Sequence, residues 1–144
     1  QIYKNKDLII PSFYKGGPFK KNFGKIKINS QKCRVSKVYN YHLNLLYISC
    51  MTFYSLSLLG KKNVPIIIDG IFIKNKFFIN LISNLSNRKV FISDDENGVS
   101  RGGFLILERN KKLKINFKEI KKNAKLKKIL FNYYYFWKKN LPSN

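Results

Sequence analysis

The stretch from Pro65 to Leu107 constrains the fold more than any other part of this chain, because its apolar pattern switches twice between strand and helix spacing. Val64–Ile68 is an apolar run closed by Asp69-Gly70, which predicts a buried strand ending in a tight turn. Phe77, Phe78, Leu81, Ile82 and Leu85 then recur at three- and four-residue intervals. That spacing predicts a helix over about Lys74–Ser86, with Lys74, Lys76, Asn80, Asn84 and Asn87 left for water. Val90-Phe91-Ile92 predicts a second short strand, beside the first in one sheet. A polar SDDEN turn leads to Gly98 and a second helix, in which Gly102 and Gly103 are expected to let the backbone press against a neighbour. Strand, glycine turn, helix, strand, helix is one half of a nucleotide-binding α/β unit.

This order resembles the C-terminal domain of the FGGY family of carbohydrate kinases. Its ATP-binding lobe carries acid-Gly-Gly-x-x-x-Asn, then a helix, a strand and a Gly-x-x-x-Gly helix start, and the matching residues are Asp69, Gly70, Asn75, Gly98 and Gly102. LIIPSFYKGGPF (Leu8–Phe19) resembles the family's proline- and glycine-bearing loop segment. HLNLLYISCMTFYSLSLLG (His42–Gly60) resembles the long helix before the nucleotide strand, and NYYYFWKKNL (Asn132–Leu141) the aromatic final helix. The resemblance implies an α/β lobe of the actin-like ATPase, ribonuclease-H-like type, with ATP and Mg²⁺ as cofactors and a sugar or polyol hydroxyl as phosphoryl acceptor. It implies that Gly70 admits close approach after the strand, that Asn75 hydrogen-bonds the adenine or ribose, and that Gly98–Gly102 form the adjoining wall. Ile71 departs from the pattern, placing a Cβ where many members have a second glycine beside the phosphates. Asp69 is expected to fix the turn rather than act as a base, and a purely structural role for all of these residues fits the sequence equally well.

The 144 residues suffice for one domain with a modest core, whereas a complete kinase of this family has two lobes. In the family the catalytic aspartate and the Gly-Thr turn that grips the terminal phosphates lie upstream of the segments matched here. The expectation is a fragment, a remnant or one piece of a split enzyme, inactive alone and completed by a separate N-terminal lobe. Three segments are expected: a basic loop segment at 1–37, an α/β nucleotide-binding core at 38–108 and a basic amphipathic tail at 109–144.

Charge opens a different reading, since 29 basic against 7 acidic residues give a net charge of +22. Residues 1–37 carry +9, 38–108 only +2 and 109–144 +11, so the nucleotide core is nearly neutral between two basic flanks. A small RNA- or ribosome-associated protein would use such flanks as phosphate contacts. However, the set holds 25 Lys and only 4 Arg beside 17 Asn. Arg is the residue suited to bidentate phosphate and guanine contacts, so this pattern also fits an AT-rich genome filling its surface with Lys and Asn. On either reading nonspecific, salt-sensitive polyanion binding is expected, and no recognised RNA-binding motif stands out.

Val38–Gly60 contains no Asp, Glu, Lys or Arg and approaches the roughly 20 residues of a membrane span. His42, Asn44, Ser49, Thr52, Ser55 and Ser57 interrupt it, so a buried helix is expected and no membrane span. The first thirty residues lack the continuous apolar core of a secretory signal, which leaves the cytoplasm as the default. Cys33 and Cys50 show neither CxxC spacing nor a histidine cluster and are expected to pack. His42, without a nucleophile beside it, is expected to be structural. Asp94-Asp95-Glu96 offers carboxylates for a hard cation, but acids before Asn97-Gly98 also suit a helix N-terminus, and no metal site is assigned. Past Glu108 the apolar positions Phe117, Ile120, Ala124, Leu126, Leu130, Phe131, Tyr134 and Trp137 predict an amphipathic helix from about Phe117 onward, closing over the lobe.

Overall fold

A computed structural model describes residues 1–13, 18–19, 23–29, 36–60, 63–94, 97–108 and 114–142. Cys33, Gly16, Gly17, Asp95 and Glu96, named above, lie outside the described residues.

The central α/β unit forms in the predicted order, with three departures from its spacing: the first strand starts at Ile66 and not Val64, Ile67 and Phe77 are exposed, and Asn84, expected to face water, is buried and accepts from Asn123 N at 2.7 Å. Strand β3 (Ile66–Ile68) pairs in parallel with β4 (Val90–Ser93), in the register Ile66↔Val90, Ile67↔Phe91, Ile68↔Ile92. Between them runs helix α3 (Lys76–Leu85). Phe78, Ile79, Leu81, Ile82 and Leu85 of this helix share one core with Ile66, Ile68 and Val90 of the strands, so the helix is packed on the sheet. It starts two residues later than the apolar spacing predicts, because Gly70–Lys74 form a 3-10 turn first. Asn75 then caps α3, its Oδ1 accepting from Phe78 N at 3.0 Å.

Preceding this unit is α2 (Lys37–Leu58), capped by Ser36, whose Oγ accepts from Tyr39 N at 3.2 Å. Leu43, Leu45, Leu46 and Cys50 are buried on it. Ser49, which interrupts the apolar run, donates its hydroxyl to Leu45 O at 2.8 Å and so enters the core satisfied. Among the described residues no helix is long and apolar enough to cross a membrane. Burial pushes the Cys50 thiol well above its ordinary value, as befits a packing residue. His42 meets the Val38 carbonyl at 2.8 Å through Nδ1 and lies edge-on to Phe77 at 4.7 Å, which occupies it with its own helix and its neighbour.

Three elements depart from the sequence reading. Residues near the N-terminus are more than a loop: a helical turn α1 (Ile2–Asn5) precedes β1 (Leu8–Ile10), which pairs antiparallel with β2 (Lys25–Lys27). Every residue of β1 is buried, and three apolar residues before a proline are too few for periodicity to reveal a strand. In the tail, Phe117–Glu119 is not helical but forms β5, antiparallel to β4 in the register Phe91↔Glu119, Ile92↔Lys118, Ser93↔Phe117. The edge of β4 left free by β3 supplies backbone partners that outweigh helical propensity over three residues. Helix α5 therefore begins at Ala124 and runs to Lys139, capped by Asn123. Lastly, helix α4 (Gly98–Leu107) does not press Gly102 or Gly103 against a neighbour, since nothing lies within 4 Å of where their Cβ atoms would sit. The close approach is one turn earlier, at Gly98.

Helix α5 closes over the lobe. Leu130, Tyr133, Tyr134 and Trp137 are buried in the core with Leu8 and Ile10 of β1 and with Leu45, Leu46 and Cys50 of α2. Two side chains bond the N-terminal segment directly: Tyr133 Oη donates to Asp7 O at 2.9 Å and Trp137 Nε1 to Ile9 O at 2.8 Å. One core thus joins residues from both basic flanks to the central unit.

Candidate functional site

Parallel strands β3 and β4 end on the same edge of the sheet, and ligands of open α/β sheets bind in the crevice outside such ends. The chain leaves β3 through Asp69-Gly70 and β4 through Ser93-Asp94, and α4 starts at Gly98. These residues meet. Ser93 Oγ donates to Asp69 Oδ1, which also accepts from Gly70 N at 2.8 Å. A Cβ on Gly98 would lie only 2.7 Å from Asp69 Cγ, so a side chain there requires the Asp69 carboxylate to move. Gly70 has φ +70°, the left-handed region that glycine occupies without strain.

The second strand end is tied by Asp94. It accepts from Asn116 Nδ2 at 2.9 Å and Asn116 N at 3.3 Å, and Arg101 Nη1 of α4 stands 3.4 Å from its Oδ1. Beside it a cleft of about 380 Å³ opens between Ile73, Ile92, Ser93, Asp94, Asn116, Phe117 and Lys118. No group of three or more His, Cys, Asp or Glu able to hold a metal occurs among the described residues.

The electrostatics identify what Asp69 does. Its hydrogen bonds from Ser93 and then from the Gly70 amide hold its carboxyl below the usual carboxylate value. For Asp94, partial desolvation pushes upward, but the bonds from Asn116 and Arg101 outweigh it and the net shift is downward. Because the folded pKa of Asp69 lies below the unfolded value of about 3.9, its contribution to stability is present above that value and lost as pH falls through the folded pKa. Ser93→Ala should move the Asp69 titration upward and weaken that acid dependence. Carboxyl titration by NMR reads this directly, and an Asp69 pKa unmoved by Ser93→Ala would remove the assignment.

Of the residues predicted from sequence, the structure brings Gly70 and Gly98 together around Asp69, places Ile71 beside them with its side chain 74 % exposed, and leaves open space next to Gly70 and Gly102. Asn75 is further committed: besides capping α3 it donates Nδ2 to Tyr41 Oη at 3.2 Å. An Asn Nδ2 group carries two hydrogens, so that bond leaves one donor available to a ligand. Sequence reasoning misses Ser93, Asn116, Arg101 and Tyr41. The equal apolar runs of β3 and β4 contain the signal for Ser93, since aligning them in parallel sets it beside Asp69, whereas nothing local marks Asn116.

Space is open beside Gly70 and Gly102, and the side chain of Ile71 is exposed next to the turn. Gly98→Ala should displace the Asp69 carboxylate and break its bonds to Ser93 and Gly70, costing about 0.5–1.5 kcal/mol. Urea unfolding measures this, and an unchanged midpoint would contradict the contact.

Comparison with known proteins places these observations. Residues 1–115 match the family model for the carbohydrate kinase FGGY C-terminal domain. The fold matches a carbohydrate kinase from Novosphingobium aromaticivorans, solved by crystallography, with a TM-score of 0.71 at 18 % identity, over 95 % of this chain and 28 % of that one. This likeness is one of fold, the actin-like ATPase type, and the chain spans little more than a quarter of the longer protein. No curated protein matches.

Proposed function

The chain belongs to the carbohydrate kinase FGGY family through its C-terminal domain, and on that premise we propose that these residues are the ATP-binding side of a sugar or polyol kinase, inactive without the N-terminal lobe that completes the site. Kinases of this family use ATP and Mg²⁺. When bound, they supply the transferable phosphoryl group and the cation that offsets its charge. The observation that carries the reading is the meeting of Gly70, Gly98 and Asp69 where both parallel strands end.

The chain's own residues then have distinct tasks. Gly70 and Gly98 hold a turn and a helix start close together while leaving one side open. Asp69 ties the turn to the end of β4 by accepting from Gly70 and Ser93, and its depressed pKa makes it a poor proton acceptor, so it serves as an anchor and not as the base. Asn75, at the N-cap of α3, and Gly102, along α4, would line the adenosine. Deprotonation of the sugar hydroxyl and grip on the terminal phosphates fall to the other lobe.

Ile71 tests this arrangement because its exposed side chain stands beside the open space at Gly70. Ile71→Gly should tighten ATP binding about fivefold, on the order of 1 kcal/mol, while inorganic tripolyphosphate binds as before. Titration calorimetry on both proteins decides it. Equal affinities for ATP and tripolyphosphate in both would mean that only the lysines are binding.

A further inference from the structure

We propose that the solvent face of α5 is a sequence-independent binding surface for single-stranded nucleic acid, built from Lys125, Lys128, Asn132, Tyr135 and Lys139. The inference is independent of the kinase reading, and α5 lies outside the residues 1–115 that match the family.

Helix α5 turns Leu130, Tyr133, Tyr134 and Trp137 inward. At 100° per residue the opposite face carries Lys125, Lys128, Asn132, Tyr135 and Lys139, all exposed. From Lys125 to Lys139 this stripe is about 21 Å long at 1.5 Å per residue, enough for roughly four nucleotides, the lower end of known single-strand site sizes. No acid occurs after Glu119, and Glu119 faces Lys89 at 3.9 Å. Just before the helix, burial and then the nearby charge of Lys127 push the Lys122 ammonium below its ordinary pKa.

An exposed aromatic decides the partner. Tyr135 is 57 % exposed in the middle of the lysines. It is steadied by Phe131 at 6.3 Å and Tyr134 at 6.0 Å, and Lys127 Nζ lies 5.7 Å from the Phe131 ring. A held, outward ring among ammonium groups suits base stacking with phosphate contact. An amphipathic helix on an anionic membrane would instead insert its apolar face, and here that face is buried in the core and bonded to β1 through Trp137 and Ile9. The stripe has no Arg fork for reading base edges, which is why binding should not depend on sequence.

Fluorescence anisotropy of the full chain with a labelled twelve-residue oligouridylate tests the surface. Tyr135→Ala should weaken binding about 5- to 100-fold with Tyr135→Phe near wild type. Lys125→Gln with Lys128→Gln should flatten the dependence of log K on log salt by about 1.4, because each single-strand phosphate that a lysine neutralises contributes about 0.7 to the slope. All these positions are exposed, and circular dichroism verifies that the variants fold. Binding indifferent to Tyr135→Ala would reduce the surface to diffuse charge and overturn the proposal. Tighter binding to phosphatidylserine vesicles than to the oligonucleotide, lost on Tyr135→Ala, would assign the face to a lipid surface and overturn it equally.

Discussion

Trp137→Ala should cost about 3–5 kcal/mol of folding stability, the usual range for deleting a buried aromatic. Trp137 is 0 % exposed, stacks with Tyr134 at 5.8 Å and meets Tyr54 edge-on at 6.2 Å. Its removal opens a cavity between α2 and α5. It also strips the hydrogen bond from Ile9 O, leaving a buried carbonyl unpaired at a further penalty of about 1–3 kcal/mol unless water enters. Against a total of about 5–15 kcal/mol for a typical domain, one substitution would bring the fold near its limit. Urea unfolding followed by circular dichroism gives the number, since Trp137 is the sole tryptophan and its fluorescence goes with it. Trp137→Phe keeps most of the volume and should lose less. A loss under about 1 kcal/mol for Trp137→Ala, well below the range for a buried aromatic, would show that α5 does not close the core.

The second large effect is on turnover. Assayed alone with ATP, Mg²⁺ and a panel of pentoses, hexoses and polyols, the 144 residues should give only background phosphoryl transfer. Loss of general-base assistance forfeits about 10²–10⁴ in rate, and loss of substrate positioning costs more. Asp69 does not fill the gap, because the bonds from Ser93 and Gly70 occupy its carboxylate and lower its pKa, which makes it a weak base. Addition of an FGGY N-terminal lobe should raise the rate if the two halves assemble. Phosphorylation by the chain alone, abolished by Asp69→Ala, would make Asp69 a base and overturn the division of roles.

Repetition decides how much of this is legible in the sequence. Helix α3 repeats its apolar spacing over three turns, and β3 and β4 are bounded by turn residues, so both the elements and their adjacency can be read from the residues alone. Residues Leu8–Ile10 and Phe117–Glu119 are strands three residues long whose existence rests on distant partners, Lys25–Lys27 and Val90–Ser93. No local pattern of that length separates strand from loop or helix. The glycines show the same division. Gly98 and Gly102 look equivalent in sequence, yet only Gly98 abuts Asp69, because contact depends on which way the helix face turns. Asn75 reads as a ligand contact from its place in the motif, and the structure adds that it is also an N-cap bonded to Tyr41.

If the joined ends of β3 and β4 receive the adenosine side of ATP, backbone amide NMR of the ¹⁵N-labelled chain, titrated with ATP and in parallel with inorganic tripolyphosphate, detects it most directly. The prediction is saturable shifts at Gly70, Asn75, Gly98 and Gly102 with ATP that tripolyphosphate does not reproduce. Shifts restricted to the lysine-rich flanks and the same for both ligands would contradict it.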